Sequence, residues 1–297
     1  MAIVESLALG KARGSMGNLT YRTVGGATIS SQKISKGVKR AGTLLQMMLR
    51  VQWANIVSIW QSFTGNDRPS FESRDARVSD FNMFMSRNNG AAPVYLTRSD
   101  AAQGGAVVVG YQVTEGSLPA IDVSASGVSG EIGTDISLGN LSIGEETTVA
   151  QISSAIINNN EDFIEGDQLT AFVLRQMVNA VTNVPYVKTE SYKLFLNTSD
   201  TTTLVSDIDP DGLVFAKQGS SDKLGMNQTV NGGAVYIHSR KENGKTKVST
   251  QRLVVSNTVL ASYQTPAAMI AAIQSYGGQT SNLYLTPTDP AALQVNP

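Results

Sequence analysis

Residues 230–256 read VNGGAVYIHSRKENGKTKVSTQRLVVS, and the rest of the chain is read outward from them. Two β-prone runs, 234–241 and 245–255, flank the dipeptide Asn243-Gly244. A two-residue type I′ loop needs positive φ at both central positions. Asn tolerates that conformation, Gly adopts it without steric cost, and the turn follows the right-handed twist of its strands. The stretch predicts an antiparallel hairpin. Earlier runs at 106–114, 168–178, 186–196 and 213–217 repeat the period of two between clusters of Gly, Asn, Asp and Pro. Strands at that spacing predict a mainly antiparallel, Ig-like β-sandwich.

Two helices are expected to interrupt and follow these strands. Residues 148–158 carry Thr148 and Gln151 at capping-box positions, with Val149, Ile152, Ile156 and Ile157 for an apolar face. Residues 265–276 have Thr265 as a cap, Pro266 at the first helical position and Gly277-Gly278 as a stop.

Before residue 93 the period becomes helical. Residues 43–64 predict the clearest helix, with a Thr43/Gln46 capping box and Gly65 as a stop. On a 3.6-residue wheel, Leu45, Met48, Trp53, Ile56, Trp60 and Phe63 share one broad arc with Leu49 and Ile59. Leu44, Met47 and Val51 extend apolar character onto an adjoining face. A surface helix needs only one apolar stripe. Two readings remain open: a core helix, or a helix with one face in its own chain and another against a neighbouring subunit. A second helix is expected over 76–87, with Val78, Phe81 and Met85 on one face, making a helical hairpin across the Pro69 loop. Met47, Met48, Met83 and Met85 read as gap-filling core.

The segment 14–40, GSMGNLTYRTVGGATISSQKISKGVKR, predicts strands at 18–24 and 27–33 around Gly25-Gly26. Its apolar face is thin, so the hairpin is marginal alone in water and is expected to dock. The fold expected is therefore α+β. It comprises a basic arm with a β-hairpin (1–41), a helical hairpin (42–92), a β-sandwich with a helical insertion (93–262), and a C-terminal helix and tail (263–297).

Charge is uneven along the 297 residues. Residues 1–50 hold Lys11, Arg13, Arg22, Lys33, Lys36, Lys39, Arg40 and Arg50 against Glu5, a net of +7. Residues 101–297 hold ten basic and eighteen acidic side chains, a net of −8. Such an arm can lie on the acidic body of a neighbouring copy, meet DNA non-specifically through counterion release, or be simply a solvated basic strand pair. Charged residues make up 16% of the chain, below the ~25% of an ordinary domain, as suits surfaces buried in permanent assemblies. No apolar run reaches the length of a membrane span. Glu5 sits where a signal peptide wants a basic region, so synthesis in the cytoplasm is expected.

The chemical motifs largely fail. Cysteine is absent and His238 is the single histidine, which excludes disulfides, thiolate chemistry and multi-histidine metal centres within one chain. Ser239 replaces the first glycine of a phosphate-binding loop ahead of Gly244-Lys245, and Glu131 breaks the nucleophile-elbow pattern around Ser129. His238, in a hairpin strand, would need a nucleophile and an orienting carboxylate from elsewhere. It is read as a satisfied or exposed strand histidine. Asp207, Asp209, Asp211 and Gly212 match the opening of a calcium loop, with Val214 at the apolar eighth position. Gln218 at position twelve cannot supply the bidentate carboxylate, and a β-turn is the favoured reading. No enzyme, no cofactor and no metal are expected.

The element Gly14-Ser15-Met16-Gly17-Asn18…Arg22, followed by a basic strand and a tryptophan-bearing helix, resembles the opening of an uncharacterised structural protein family of Bacteroidota genomes and their phages. The late hairpin from Ala234 through Asn243-Gly244 to Ser249 resembles that family's closing Ig-like strands. The resemblance spans about residues 10–85 and 165–256, with extra material at 115–160 and after 257. It implies a virion component, a ring or tail-neck subunit of a crAss-like short-tailed phage, and brings no catalytic residues. A homo-oligomeric ring is expected to contact portal or tail proteins, with the arm and helix at the contacts. The alternative is an Ig-like binding or adhesion module that engages a glycan or host protein.

Overall fold

The computed structural model describes residues 2–4, 14–16, 18–24, 27–32, 44–63, 68–75, 77–91, 93–125, 131–218, 221–256 and 258–276. The chain is mixed helix and antiparallel sheet, of α+β class.

The arm hairpin forms as read and is extended on both sides. Strands β1 (Ala2–Val4), β2 (Gly14–Met16), β3 (Leu19–Val24) and β4 (Ala27–Gln32) make one antiparallel sheet in the order β1-β4-β3-β2. Val24 lies opposite Ala27, and Leu19 opposite Gln32. The capping and stop residues Thr43 and Gly65 fall outside the described residues.

Helix α1 (Leu44–Ser62) is followed by α2 (Asp80–Asn88) and the short α3 (Arg98–Ala102). The second helix starts later than residue 76, because the Ser79 hydroxyl accepts the Asn82 N–H at 3.2 Å and sets the N-terminus there. Val78 therefore precedes the helix, and Phe84, Met85 and Asn88 form its buried side. Trp60 of α1 packs on Phe81 and Phe84 at ring separations of 5.7 and 5.4 Å, which joins the two helices.

The strand expected over 106–114 is reduced to β5 (Gln112–Thr114). Residues 106–109 and Tyr111 are buried without a ladder, and side-chain amides stand in for one. Asn55 accepts the Val107 N–H at 2.7 Å and donates to the Val107 carbonyl at 2.9 Å and to the Tyr111 hydroxyl at 3.0 Å. Gln176 accepts the Val108 N–H at 2.8 Å and donates to the Ala106 carbonyl at 3.0 Å. A fully apolar run cannot signal that its hydrogen bonds will come from amides 52 and 68 residues away.

The remaining elements are β6 (Val123–Ala125), β7 (Ile132–Ser137), α4 (Val149–Asn159), β8 (Gln168–Val178), β9 (Pro185–Phe195) and α5 (Val205–Ile208). They continue with β10 (Ala216–Lys217), β11 (Lys223–Gly225), β12 (Gly232–Glu242), β13 (Lys245–Val248), β14 (Gln251–Arg252), β15 (Val254–Ser256) and α6 (Pro266–Ser275). The α4 capping box forms between Thr148 and Gln151, and Thr265 caps α6. A central sheet runs β13-β12-β8-β9, and a second runs β10-β11-β7-β6. Asn243 and Gly244 have φ of 50° and 74°, and Glu242 pairs with Lys245, the two-residue hairpin expected.

The return strand does not run unbroken over 245–255. β13 and β15 pair with opposite ends of β12, and β14 leaves for β5. The break is at Ser249, whose hydroxyl accepts the His238 N–H at 3.0 Å. The expected strand at 213–217 likewise shrinks to β10, since the Asp209 carboxylate takes the N–H groups of Leu213, Val214 and Phe215.

Alternation along β8 and β12 divides the interior in two. Leu169, Ala171, Val173, Ala234 and Tyr236 face the second sheet and α4. Phe172, Leu174, Val235 and Ile237 face α1, α2 and residues 106–113. Helices α1 and α2 thus share a core with the central sheet. A smaller cluster seats α6 on α1 through Met47, Val51, Met269, Ala272 and Ile273.

Gly232 opens β12 at φ +150°, where a Cβ would stand 1.8 Å from the Leu174 carbonyl oxygen on β8. Gly232→Ala is expected to cost about 2–3 kcal/mol in urea unfolding, because backbone rather than a movable side chain blocks the methyl. Among the described residues, no helix is long and apolar enough to cross a membrane.

Candidate functional site

His238 and Arg240 project from the same face of β12 towards Asp167, the residue before β8. The ring Nε2 lies 2.8 Å from Asp167 Oδ2. Arg240 donates from Nε to Oδ1 and from Nη2 to Oδ2, both at 2.7 Å, and the Ile164 N–H reaches Oδ2 at 2.9 Å. Phe163 stacks on the imidazole at 4.4 Å. His238 and Asp167 are each 1% exposed. Burial would raise the Asp167 carboxyl, but the hydrogen bonds from Arg240, His238 and Ile164 outweigh it and hold the pKa down at about 2.

Ser249 touches the main-chain nitrogen of His238, so its hydroxyl serves as an acceptor for β12. A cavity of about 50 Å³ beside the ring, lined in part by Ile121, Asn160 and Phe163, has room for a water rather than a substrate. The cluster is a buried clamp: Asp167 ties the 162–167 turn to β12, and its carbonyl accepts the Leu196 N–H at 2.8 Å.

The Asp207–Asp211 stretch is a backbone-binding turn. Asp209, 1% exposed, accepts three N–H groups at 2.7–2.9 Å, and Asp207 accepts the Leu204 N–H at 3.0 Å. Among the described residues, no group of three acidic or histidine side chains is placed to hold a metal ion.

The surface of α1 is divided. Ile56 and Phe63 are buried and Met48 and Trp60 are half-buried, while Trp53 and Leu49 are 48% and 46% exposed. Burial centres on Met47, Val51, Asn55 and Ile59, which rotates the core face away from the expected arc. The polar Asn55 is drawn inside by the 106–111 backbone. Trp53 keeps one polar contact, its Nε1 donating to Asn89 Oδ1 at 3.2 Å. Leu45 belongs to α1, but its side chain lies outside the described part. Of the arm cations, Arg22 is exposed on β3 opposite Ile29. Lys11, Arg13, Lys33, Lys36, Lys39 and Arg40 lie outside the described residues.

A second apolar surface escaped the sequence reading. The end of β8 exposes Met177 and Val178, and the connection to β9 exposes Val181 at 91%. Asn179 Oδ1 accepts the N–H groups of Val181 and Thr182 at 2.9 and 3.1 Å, and the Asn183 N–H returns to the Asn179 carbonyl. The tip is thus held by its own hydrogen bonds with apolar side chains outward. Its signal in the sequence is the uncharged run 176–187, QMVNAVTNVPYV, between Arg175 and Lys188.

Comparison with protein-family models, curated proteins and solved structures finds no match to this chain.

Proposed function

We propose that this chain is a structural subunit of a phage virion, a ring, neck or tail component held by contacts with further copies of itself and with portal or tail proteins. The observation that carries the reading is the outward apolar side of α1, where Leu49 and Trp53 sit one turn apart while the opposite side fills the core. Single exposed leucines are ordinary, but an exposed tryptophan beside one has the composition of an interface anchor. The hydrogen-bonded tip around Val181 adds a second apolar patch, and two unlike patches suit the heterologous contacts that close a ring. The +7 arm complements the −8 body of a neighbouring copy. In this reading the two sheets that share a core are an Ig-like sandwich, and the arm, which faces DNA or protein, is an assembly device.

Light scattering on the purified full chain tests the proposal. The intact protein is expected to be oligomeric. Deletion of residues 1–40, or Leu49→Glu with Trp53→Glu, is expected to yield monomer with the β-sheet circular dichroism retained. A wild-type monomer at tens of micromolar would overturn the assembly reading and favour the adhesion module instead.

A further inference from the structure

We propose that the outward side of α6 is a docking site for residues 283–285, Leu-Tyr-Leu, of the same chain. α6 reads PAAMIAAIQS and carries no charged residue. A surface helix shows one apolar stripe and one polar face, whereas a helix that is apolar all round is buried on all sides. α1 accounts for one side of α6, where Met269, Ala272 and Ile273 pack against Met47 and Val51. On the other side, Ala267, Ile270, Ala271 and Gln274 follow the i, i+3, i+4, i+7 spacing of a single helix face. Together with Thr265 and Pro266 they line a space of about 470 Å³. Ala267 and Ala271 are exposed and Ile270 is half-buried between them. The two small side chains let an extended segment approach the helix closely, and Ile270 gives it an apolar anchor.

The occupant follows from the chain beyond the helix. The described residues end at Tyr276, one position past α6, and residues 277–297 continue from there. Asp289 is the one charged side chain among them. Gly277-Gly278 lets the chain reverse directly after the helix, because glycine takes a positive φ without steric cost. Residues 279–282, extended, span about 13 Å. Ile270 lies about 9 Å back along the helix axis from Tyr276, so Leu283 reaches it. Leu285, two residues on and on the same side of an extended segment, reaches Ala267 and Pro266.

Tethering favours this segment over any other partner. Residues 277–282 are the whole of the linker, and so short a tether holds Leu283 and Leu285 at an effective concentration in the millimolar range. A second copy at micromolar concentration would have to bind far more tightly to displace them. The chemistry also matches, since an uncharged apolar segment meets a face without charge. Gln274, the polar member of that face, can exchange hydrogen bonds with the backbone of an extended chain. The site is separate from the Leu49/Trp53 side of α1 and from the β8–β9 tip, and it does not depend on the assembly reading.

The chain contains no cysteine, so disulfide trapping in the full-length protein reads one pair at a time. Under mild oxidation, Ala267→Cys/Leu285→Cys is expected to form a bond within one chain, seen as a monomer of altered mobility on a non-reducing gel. It should form at least tenfold faster than in Asn158→Cys/Leu285→Cys, whose first position is exposed on α4. Hydrogen exchange supplies a second readout. Leu283→Ser/Leu285→Ser is expected to speed exchange of the α6 amides at least tenfold, while the β8 amides keep their wild-type protection. Disulfide-linked dimers in place of the internal bond would overturn the proposal in favour of the same segment from a second copy. Equal rates for the two cysteine pairs, or unchanged α6 exchange in the serine variant, would overturn docking on this face altogether.

Discussion

Asp167→Ala is expected to lower the unfolding free energy by about 3–5 kcal/mol, the cost of removing one partner from a buried ion pair. Arg240 would lose both charge-assisted hydrogen bonds, His238 its ring partner, and the Ile164 N–H its acceptor. For a chain of this size that corresponds to a fall in Tm of roughly 10 °C. Asp167→Asn keeps the shape and an acceptor but removes the charge, so it should fall between wild type and alanine.

The clamp also carries a pH signature. The Asp167 carboxyl has its folded pKa depressed to about 2, against about 3.9 in an unfolded chain. A depressed acid stabilises the folded state above its unfolded pKa and loses that contribution as pH falls through the folded one. Wild type should therefore shed on the order of 2–3 kcal/mol between about pH 5 and pH 1 that Asp167→Ala never had. Urea unfolding of both proteins across that range measures it. A wild-type advantage that stays constant from pH 6 to pH 2.5 would show that the carboxylate is not the source.

Asn55→Ala should be nearly as damaging although it deletes one small polar side chain. The Val107 N–H and carbonyl would be left without partners in the apolar interior, and the Tyr111 hydroxyl would lose a donor. Each orphaned buried group costs about 1–3 kcal/mol, which places the total near 3–5 kcal/mol unless water enters the space. Asn55→Asp restores the acceptor for Val107 N–H but not the donor, and buries a carboxyl. It should be no better at neutral pH. The Val107 amide should also exchange its hydrogen faster in Asn55→Ala. A loss below about 1 kcal/mol with unchanged exchange would mean that 105–111 does not depend on this amide.

The strands that carried strong local signals were legible residue by residue. β8 and the Asn243-Gly244 turn match their sequence readings, as do the caps of α4 and α6. Strand readings failed where a side chain captured the backbone, from far along the chain or from a neighbouring turn. Asn55 and Gln176 did so at 106–108, Asp209 at 213–215, and Ser249 at the kink after β13. The clamp was equally hidden: His238 was singled out, but Asp167 lies 71 residues away with nothing local to mark it. The gathering of cations on one side of the central sheet was invisible for the same reason, since strand pairing places Lys193 of β9 and Lys241 of β12 on one face and Arg68 arrives there from the segment after α1.

From the order of its residues alone, this protein's class, its main hairpin and its helix caps follow. Each depends on φ preferences and hydrogen bonds spanning a few positions. Folding alone decided which side of α1 turned inward, which carboxylate met the lone imidazole, and where cations gathered. Those outcomes depend on burial and Coulomb energies between groups far apart in the chain, and such energies have no value until the sheets have brought the groups together.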